Sequence, residues 1–540
     1  FSLSPDPGRW GLNVSPDFPE ADDDMHNPDD RKALYRDTHV FTFRGLANVG
    51  CILLLCVGIV SLFAGYPIVT ALTRKEQSTN GAFNIGGINA TGQVPMIGFG
   101  LIDKDTPQEA YSKQSWKDGS TWDLVFSDEF NTDGRTFYPG DDPYWEAVDL
   151  HYWETNNMEW YDPAAIMTQN GQLVITLSQK ETHGLDYQGG MMNKFCFTGG
   201  YIETSVKLPG LNNVVGLWPS VWTMGNLGRA GYGASLEGMW PYTYDACDVG
   251  TVANQTVNGQ PSAATINGDP YNGGTLSYLP GQRLSRCTCP GESHPGPKHS
   301  DGSYVGRSAP EIDVFEAQVR GNPTTPAIEL PLMGEVSQSA QWAPMNAGYV
   351  WLNNSDNMVI YNTSGSAQNT YTGGATQQAT SVVTLTNQEC YEGAGSDGCF
   401  SVYGFEPGFD DAYITWMSSG TPAWTLNAAG MAADPLVQIS ARPIPQEPMA
   451  SQAYIIMNMG MSTNFGQVDV AHIPFPVHMY IDYVRVYQPS NARNIGCDPK
   501  DYPTSDYINR YIEAYTNPNL TTWSNDYGQP FPKNKFLGQC

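Results

Sequence analysis

The sequence predicts an all-β sandwich or jelly roll with long insertions, set behind one membrane-crossing helix. Three observations lead there. From Thr121 onward, short runs of β-branched and aromatic residues alternate with Gly, Pro, Asn and Asp; Trp122-Asp-Leu-Val-Phe, Leu173-Val-Ile-Thr-Leu and Tyr480-Ile-Asp-Tyr-Val-Arg-Val-Tyr are examples. Each run has period-two alternation or the length of a buried strand. Amphipathic helices of convincing length are absent until Asp506 to Tyr515. Near the start, Leu46 to Val69 carries no charged side chain, and about 20 apolar residues suffice to cross a bilayer.

Taken in order, residues 1–44 are polar and proline-punctuated, with the acidic run Glu20-Ala-Asp-Asp-Asp. Without a hydrophobic period they read as a disordered cytosolic tail. Residues 45–70 form the transmembrane helix. More than forty residues precede it, which does not suit a signal peptide. Arg31, Lys32, Arg36 and Arg44 lie before the span and Arg74 and Lys75 after it, a bias that leaves the N-terminus in the cytosol. Sequons begin at Asn89, Asn254, Asn353, Asn362 and Asn519, all beyond the span, although Asn13 starts one on the other side. Cys51 and Cys56 lie inside the span; Cys196, Cys247, Cys287, Cys289, Cys390, Cys399, Cys497 and Cys540 follow it. Eight cysteines in an oxidising compartment read as four disulfides, in any of about 105 pairings. The reading is a single-pass type II glycoprotein of the secretory pathway: endoplasmic reticulum, Golgi or plasma membrane.

Residues 71–120, rich in Gly, Asn and Gln, read as a lumenal stem. The sandwich is expected over 121–488, with insertions at about 226–308 and 353–399, and a cysteine-stapled extension over 489–540. A net charge of -28 argues against nucleic acid and anionic membrane surfaces as partners and leaves neutral sugars in play. With 14 Trp and 30 Tyr the chain suits both a β core and flat sugar faces, and for any one ring the core is the simpler place.

The chemistry is concentrated in Glu311-Ile-Asp313-Val-Phe-Glu316. On a regular strand Glu311 and Asp313 share one face, and Glu316 falls on the other. One bulge near Val314-Phe315 restores the parity and gathers all three acids. Their mutual repulsion raises at least one pKa and so supplies a protonated acid near neutral pH. A retaining glycosidase needs such a carboxyl pair, roughly 5–5.5 Å apart. A solvent-facing acidic strand or a calcium-binding edge is the plainer alternative.

The surroundings sharpen this. Trp122 to Asn131, Asn156-Asn157-Met-Glu159-Trp-Tyr161, Phe197 to Pro209, Gly216-Leu-Trp218-Pro-Ser-Val-Trp222, Glu311 to Glu316, Tyr454-Ile-Ile-Met-Asn-Met-Gly and Asp482 to Tyr487 resemble, in order, the blocks of glycoside hydrolase family 16 and its signature E-x-D-x-x-E. More narrowly, the span, the long insertion and the tail Cys497-Asp-Pro-Lys-Asp-Tyr-Pro-Thr are similar to the fungal β-1,6-glucan synthesis-associated membrane proteins. The resemblance implies a concanavalin-like jelly roll of two curved antiparallel sheets with β-glucan in the concave cleft. It implies Glu311 as nucleophile, Glu316 as general acid/base and Asp313 as helper. Trp218 and Trp222 stand where the family lines its donor subsites, with core packing equally open for both. Asn157 and Tyr161 join them as candidate substrate contacts. No cofactor or catalytic metal is implied, although family analogy allows a structural calcium. About ninety residues separate Trp222 from Glu311, a departure that bears on cleft shape.

The first functional reading is a retaining β-glucan glycosidase or transglycosylase, required for cell-wall β-1,6-glucan synthesis or remodelling. The second is a non-catalytic glucan-binding scaffold assisting wall assembly. A sugar-nucleotide-dependent synthase fits poorly, since a Gly-rich phosphate cradle is missing.

Overall fold

The computed structural model describes residues 43–66, 68–69, 100–242, 244–320, 331–344, 346–394, 398–408, 413–431, 433–437 and 453–540. Nearly all of the expected N-terminal tail, most of the expected stem and the sequons at Asn13 and Asn89 lie outside the described residues. The chain divides into two units, Phe1–Glu76 and Gln77–Cys540.

In the first unit Phe43–Val60 is an α-helix that continues as a wider π-turn over Ser61–Gly65. Gly45–Gly65 makes 21 residues without a charged side chain, about 32 Å of helix, close to the hydrocarbon thickness of a bilayer. Its Leu, Ile, Val and Phe side chains point outward on every side, the pattern of a helix solvated by lipid.

In the second unit the described strands form two ten-stranded sheets. One sheet orders Ser112–Gln114, Thr121–Asp128, Val477–Pro489, Tyr201–Lys207, Ser401–Pro407, Tyr413–Ser418, Thr421–Asn427 and Met358–Ile360. The other carries β1 (Tyr187–Phe197), β2 (Trp218–Gly225), β3 (Glu311–Val319), β4 (Gly334–Trp342), β5 (Gln378–Leu385) and β6 (Ala453–Gly460). Their order is β5-β4-β3-β2-β6-β1, with short strands at both edges. This is the expected jelly-roll sandwich. Alternation sorts the side chains: Ile455, Met457 and Met459 of β6 enter the core between the sheets, while Tyr454 and Ile456 face the other way. Each such burial stabilises by roughly 1.5–3 kcal/mol.

The outward face of the second sheet is itself covered. Trp222, Met224, Tyr454 and Ile456 pack with Tyr232, Met239 and Leu284 of the first insertion and with Tyr507, Tyr515 and Trp523 of the C-terminal extension. Disulfides fasten this layer: Cys196–Cys497, Cys247–Cys287 and Cys289–Cys540, with Cys390–Cys399 elsewhere on the domain. All eight cysteines beyond the span are paired; Cys51 and Cys56 in the helix are free.

Three boundaries differ from expectation. The sandwich begins before Thr121, because Asp103 exchanges hydrogen bonds with Ser127 and Glu129 and Ser112–Gln114 pairs with Thr121–Asp123. A strand of three residues leaves no period to read. The stretch 353–399, expected as an insertion, contains β5, which pairs along its whole length with β4; its Ser- and Thr-rich texture resembles a loop. The helix expected over Asp506 to Tyr515 is broken at Tyr511 into Ser505–Arg510 and Ile512–Thr516.

Candidate active site

β3 is bulged where the parity argument requires it. Asp313 faces Ser339 and Glu316 faces Ser337 across β4, so Val314 and Phe315 of β3 together oppose the single Gln338 of its partner. The same extra residue appears against β2, where Trp222 faces Asp313 and Val221 faces Phe315. Val314 and Phe315 therefore both turn into the core, and Glu311, Asp313 and Glu316 share the opposite face. The bulge is held from within. The Trp416 indole donates to the Asp313 carbonyl at 2.8 Å, and the Gln338 amide donates to the Val314 carbonyl at 2.9 Å.

The three acids receive only neutral donors. Asp313, 1% exposed, accepts from Ser339 Oγ at 2.6 Å and Gln341 Nε2 at 3.1 Å. Glu316 accepts from Trp218 Nε1 at 3.0 Å, and Glu311 Oε2 accepts from Trp240 Nε1. Among the described residues no Lys or Arg pairs with them. Burial and then the charge of Asp313 push Glu316 up to about 8. Burial lifts Asp313 to about 6 against its hydrogen bonds to Ser339 and Gln341. Glu311 is raised by burial and by its two acidic neighbours, with the Trp240 bond opposing. With no cation present, the counter-charge of this cluster is a proton, and burial favours the protonated form of both Glu316 and Glu311.

The remaining predicted residues separate into two groups. Trp218 lies at the acids and stacks on Phe465, ring centres 4.1 Å apart and 1° from parallel. The far side of Phe465 belongs to a cavity of about 480 Å³ that is also lined by Leu217, Gln318, Arg320, Ser462 and Gln467. Asn157 and Tyr161, expected as substrate contacts, are 4% and 1% exposed. Their polar groups are taken up by a buried network: Asn157 donates to Glu159 at 2.7 Å and to the Tyr161 hydroxyl at 3.0 Å, and Asn458 donates to that hydroxyl at 3.1 Å. Trp222, 8% exposed, closes the network by donating to Asn458 Oδ1 at 2.7 Å; of the two readings open for it, packing is the one the structure supports. Glu159 at its centre is lifted to about 7 by burial. The network leaves no room above it: a Cβ on Gly460 would stand 2.3 Å from Glu159 Oε1. For the structural calcium, no group of three or more His, Cys, Asp or Glu among the described residues is arranged to hold a metal ion.

Residues 12–540 match the family model of "Beta-glucan synthesis-associated protein SKN1/KRE6/Sbg1". The chain belongs to the SKN1/KRE6/Sbg1 family. It is 42% identical to the beta-glucan synthesis-associated protein KRE6 of Saccharomyces cerevisiae, over 97% of this chain and 69% of that protein. It is 40% identical to SKN1 of Candida albicans, over 97% and 67% respectively. Among solved structures, the catalytic domain of an endo-1,3-beta-glucanase (laminarinase) from Thermotoga petrophila aligns with 68% of this chain and 99% of its own, at 19% identity and a TM-score of 0.36.

In this SKN1/KRE6/Sbg1 family member, two residues at the acids escaped the sequence reading. Trp240 comes from the first insertion, 71 residues before the carboxylate it meets, and its Gly-Met-Trp-Pro context carries no motif. Tyr371 precedes β5; it feels the charge of Glu316 and Glu311, and its hydroxyl accepts from Gln377 at 2.8 Å. The two insertions also touch, through Tyr278 N donating to the Ala375 carbonyl at 3.0 Å. No local sequence signal marks any of these contacts.

Proposed function

We propose that this protein is a retaining β-glucan glycosidase or transglycosylase that builds or remodels cell-wall β-1,6-glucan through a covalent glycosyl-enzyme. Glu311 attacks the anomeric carbon while Glu316 protonates the departing oxygen; Glu316 then takes a proton from the acceptor hydroxyl as the ester is broken. Asp313 shares a proton with Glu311 and shapes its charge through the cycle. The observation that carries this reading is the bulged strand, which sets three acids on one face with neutral donors only. A cavity lined by Phe465, the Gln318 and Gln467 amides and Ser462, together with Arg320 and several aliphatic side chains, supports a place for a sugar. Four disulfides and exposed sequons at Asn254, Asn362 and Asn519 support a lumenal domain behind a type II anchor.

The test is incubation of the purified full chain, wild type and Glu311→Gln, with defined β-1,3- and β-1,6-gluco-oligosaccharides, followed by mass spectrometry. Products longer than the substrate, absent with the variant, are expected. Shorter products alone restrict the protein to hydrolysis. Oligosaccharides bound but unchanged by folded wild type leave the glucan-binding scaffold as the better account.

A further inference from the structure

We propose that Trp240 is a positioning residue for the nucleophile: its indole N–H holds Oε2 of Glu311, so that Oε1 is the oxygen presented to the reacting carbon. The inference rests on the double-displacement reading above and adds a part supplied by the first insertion.

A half-buried Trp on an insertion has packing as its ordinary explanation, and Trp240 does pack on the outer cluster. Its N–H, however, is spent on Glu311, and the backbone that carries it is fixed from several sides. Met239 and Trp240 both donate to the Leu236 carbonyl, at 2.8 and 3.0 Å, and Ala309 donates to the Met239 carbonyl at 2.9 Å, two residues before Glu311. The Arg283 guanidinium donates to the carbonyls of Ala234, Ser235 and Glu237 at 3.0, 2.9 and 2.6 Å. It also lies 3.9 Å from the Trp523 ring of the C-terminal extension. Gly238 adopts φ +76°, and a Cβ there would meet Phe531 at 2.7 Å and the Gly281 carbonyl at 2.8 Å. Insertion and extension together build a rigid mount for one indole N–H.

The mount acts in both chemical steps. In the first, the bond from Oε1 to the anomeric carbon forms as the glycosidic bond breaks, and the departing oxygen takes the proton of Glu316. Oε2 becomes the ester carbonyl oxygen and keeps its N–H donor. In the second, the acceptor oxygen replaces Oε1, its proton goes to Glu316, and the released carboxylate is again met by the indole. A donor to a carboxylate favours the ionised form, so Trp240 helps Glu311 stay charged beside Asp313 and Glu316. Tyr152, Tyr371 and Tyr454 also face Glu311 from the neighbouring elements, and they are neutral over the range concerned.

The test uses the full chain in detergent and Trp240→Phe, which keeps a ring and loses the donor. The acid limb of kcat/KM is expected to move up by about one pH unit, and kcat to fall about ten-fold with KM within two-fold, as for loss of a hydrogen bond to a charged group. An acid limb that stays in place overturns the proposal. A second readout needs no turnover: ultraviolet resonance Raman of the indole N–H mode, as wild type minus Trp240→Phe. A strongly hydrogen-bonded indole is expected, weakened in the Glu311→Leu background; a difference spectrum indifferent to Glu311→Leu overturns the proposal as well. Wild type that binds but does not turn over glucan removes the glycosidase reading, and the spectrum then decides the Trp240–Glu311 contact by itself.

Discussion

The domain holds two acidic clusters and balances their charge in different ways. At the end of Thr121–Asp128, Arg135 donates to both oxygens of Asp128 at 2.8 Å and to Asp142 at 2.7 Å, and Arg485 likewise grips Glu129 at 2.8 and 2.9 Å. On β3, Glu311, Asp313 and Glu316 receive indole, hydroxyl and amide donors. A guanidinium supplies the counter-charge and a bidentate grip to the carboxylates it meets. Neutral donors orient the oxygens and leave the proton to balance the charge. The difference teaches that a guanidinium and a retained proton are two ways to balance the same negative charge inside a fold.

The largest effect that separates the clusters is on turnover. Glu311→Gln is expected to lower kcat by about a thousand-fold or more while leaving the melting temperature equal or higher, measured by product analysis and thermal unfolding. A large loss of Tm instead would make the β3 acids structural. The converse variant, Arg135→Met, leaves two buried carboxylates unpaired and is expected to cost about 3–5 kcal/mol of stability. Its folded fraction should keep the wild-type rate, read as activity per folded molecule.

A smaller effect lies in pH. Glu316 has an ordinary value of 4.5 when unfolded and about 8 in the fold, so the folded chain holds a proton that the unfolded chain releases. That contribution is complete below 4.5 and is lost as pH rises through about 8. Wild type should therefore lose Tm between pH 5 and 8, and Glu316→Gln should lose less. Under the proposed mechanism kcat/KM should fall as pH rises through about 8 and the acid is deprotonated. The smallest effect is in the buried network: Trp222→Phe removes one bond to Asn458 and should cost about 1 kcal/mol with little change in product pattern. A strong change in product length would return Trp222 to the role of a sugar contact.

The readable part of the site was the part encoded by neighbours in sequence. The period-two strands, the apolar span and the parity of Glu311, Asp313 and Glu316 depend on side-chain alternation along a few residues. Asn157 and Tyr161 sit in one of the blocks that resemble a glycosidase, but burial turned them to Glu159. β5 was hidden by its Ser and Thr content, because a strand paired on both sides needs little apolar side chain to be held.

By itself the sequence determined the class of fold, the place of the long apolar helix and the strand that carries the acids, since each follows from a local periodicity or a run of like residues. Tertiary structure alone decided which cysteines pair, how the extension and the first insertion cover the second sheet, and that Trp240 reaches Glu311. Those contacts join residues from 9 to 301 apart, the Trp240–Glu311 pair being 71 apart, and have no periodicity. They exist because the outer apolar cluster buries its side chains only when insertion and extension fold together over the sheet.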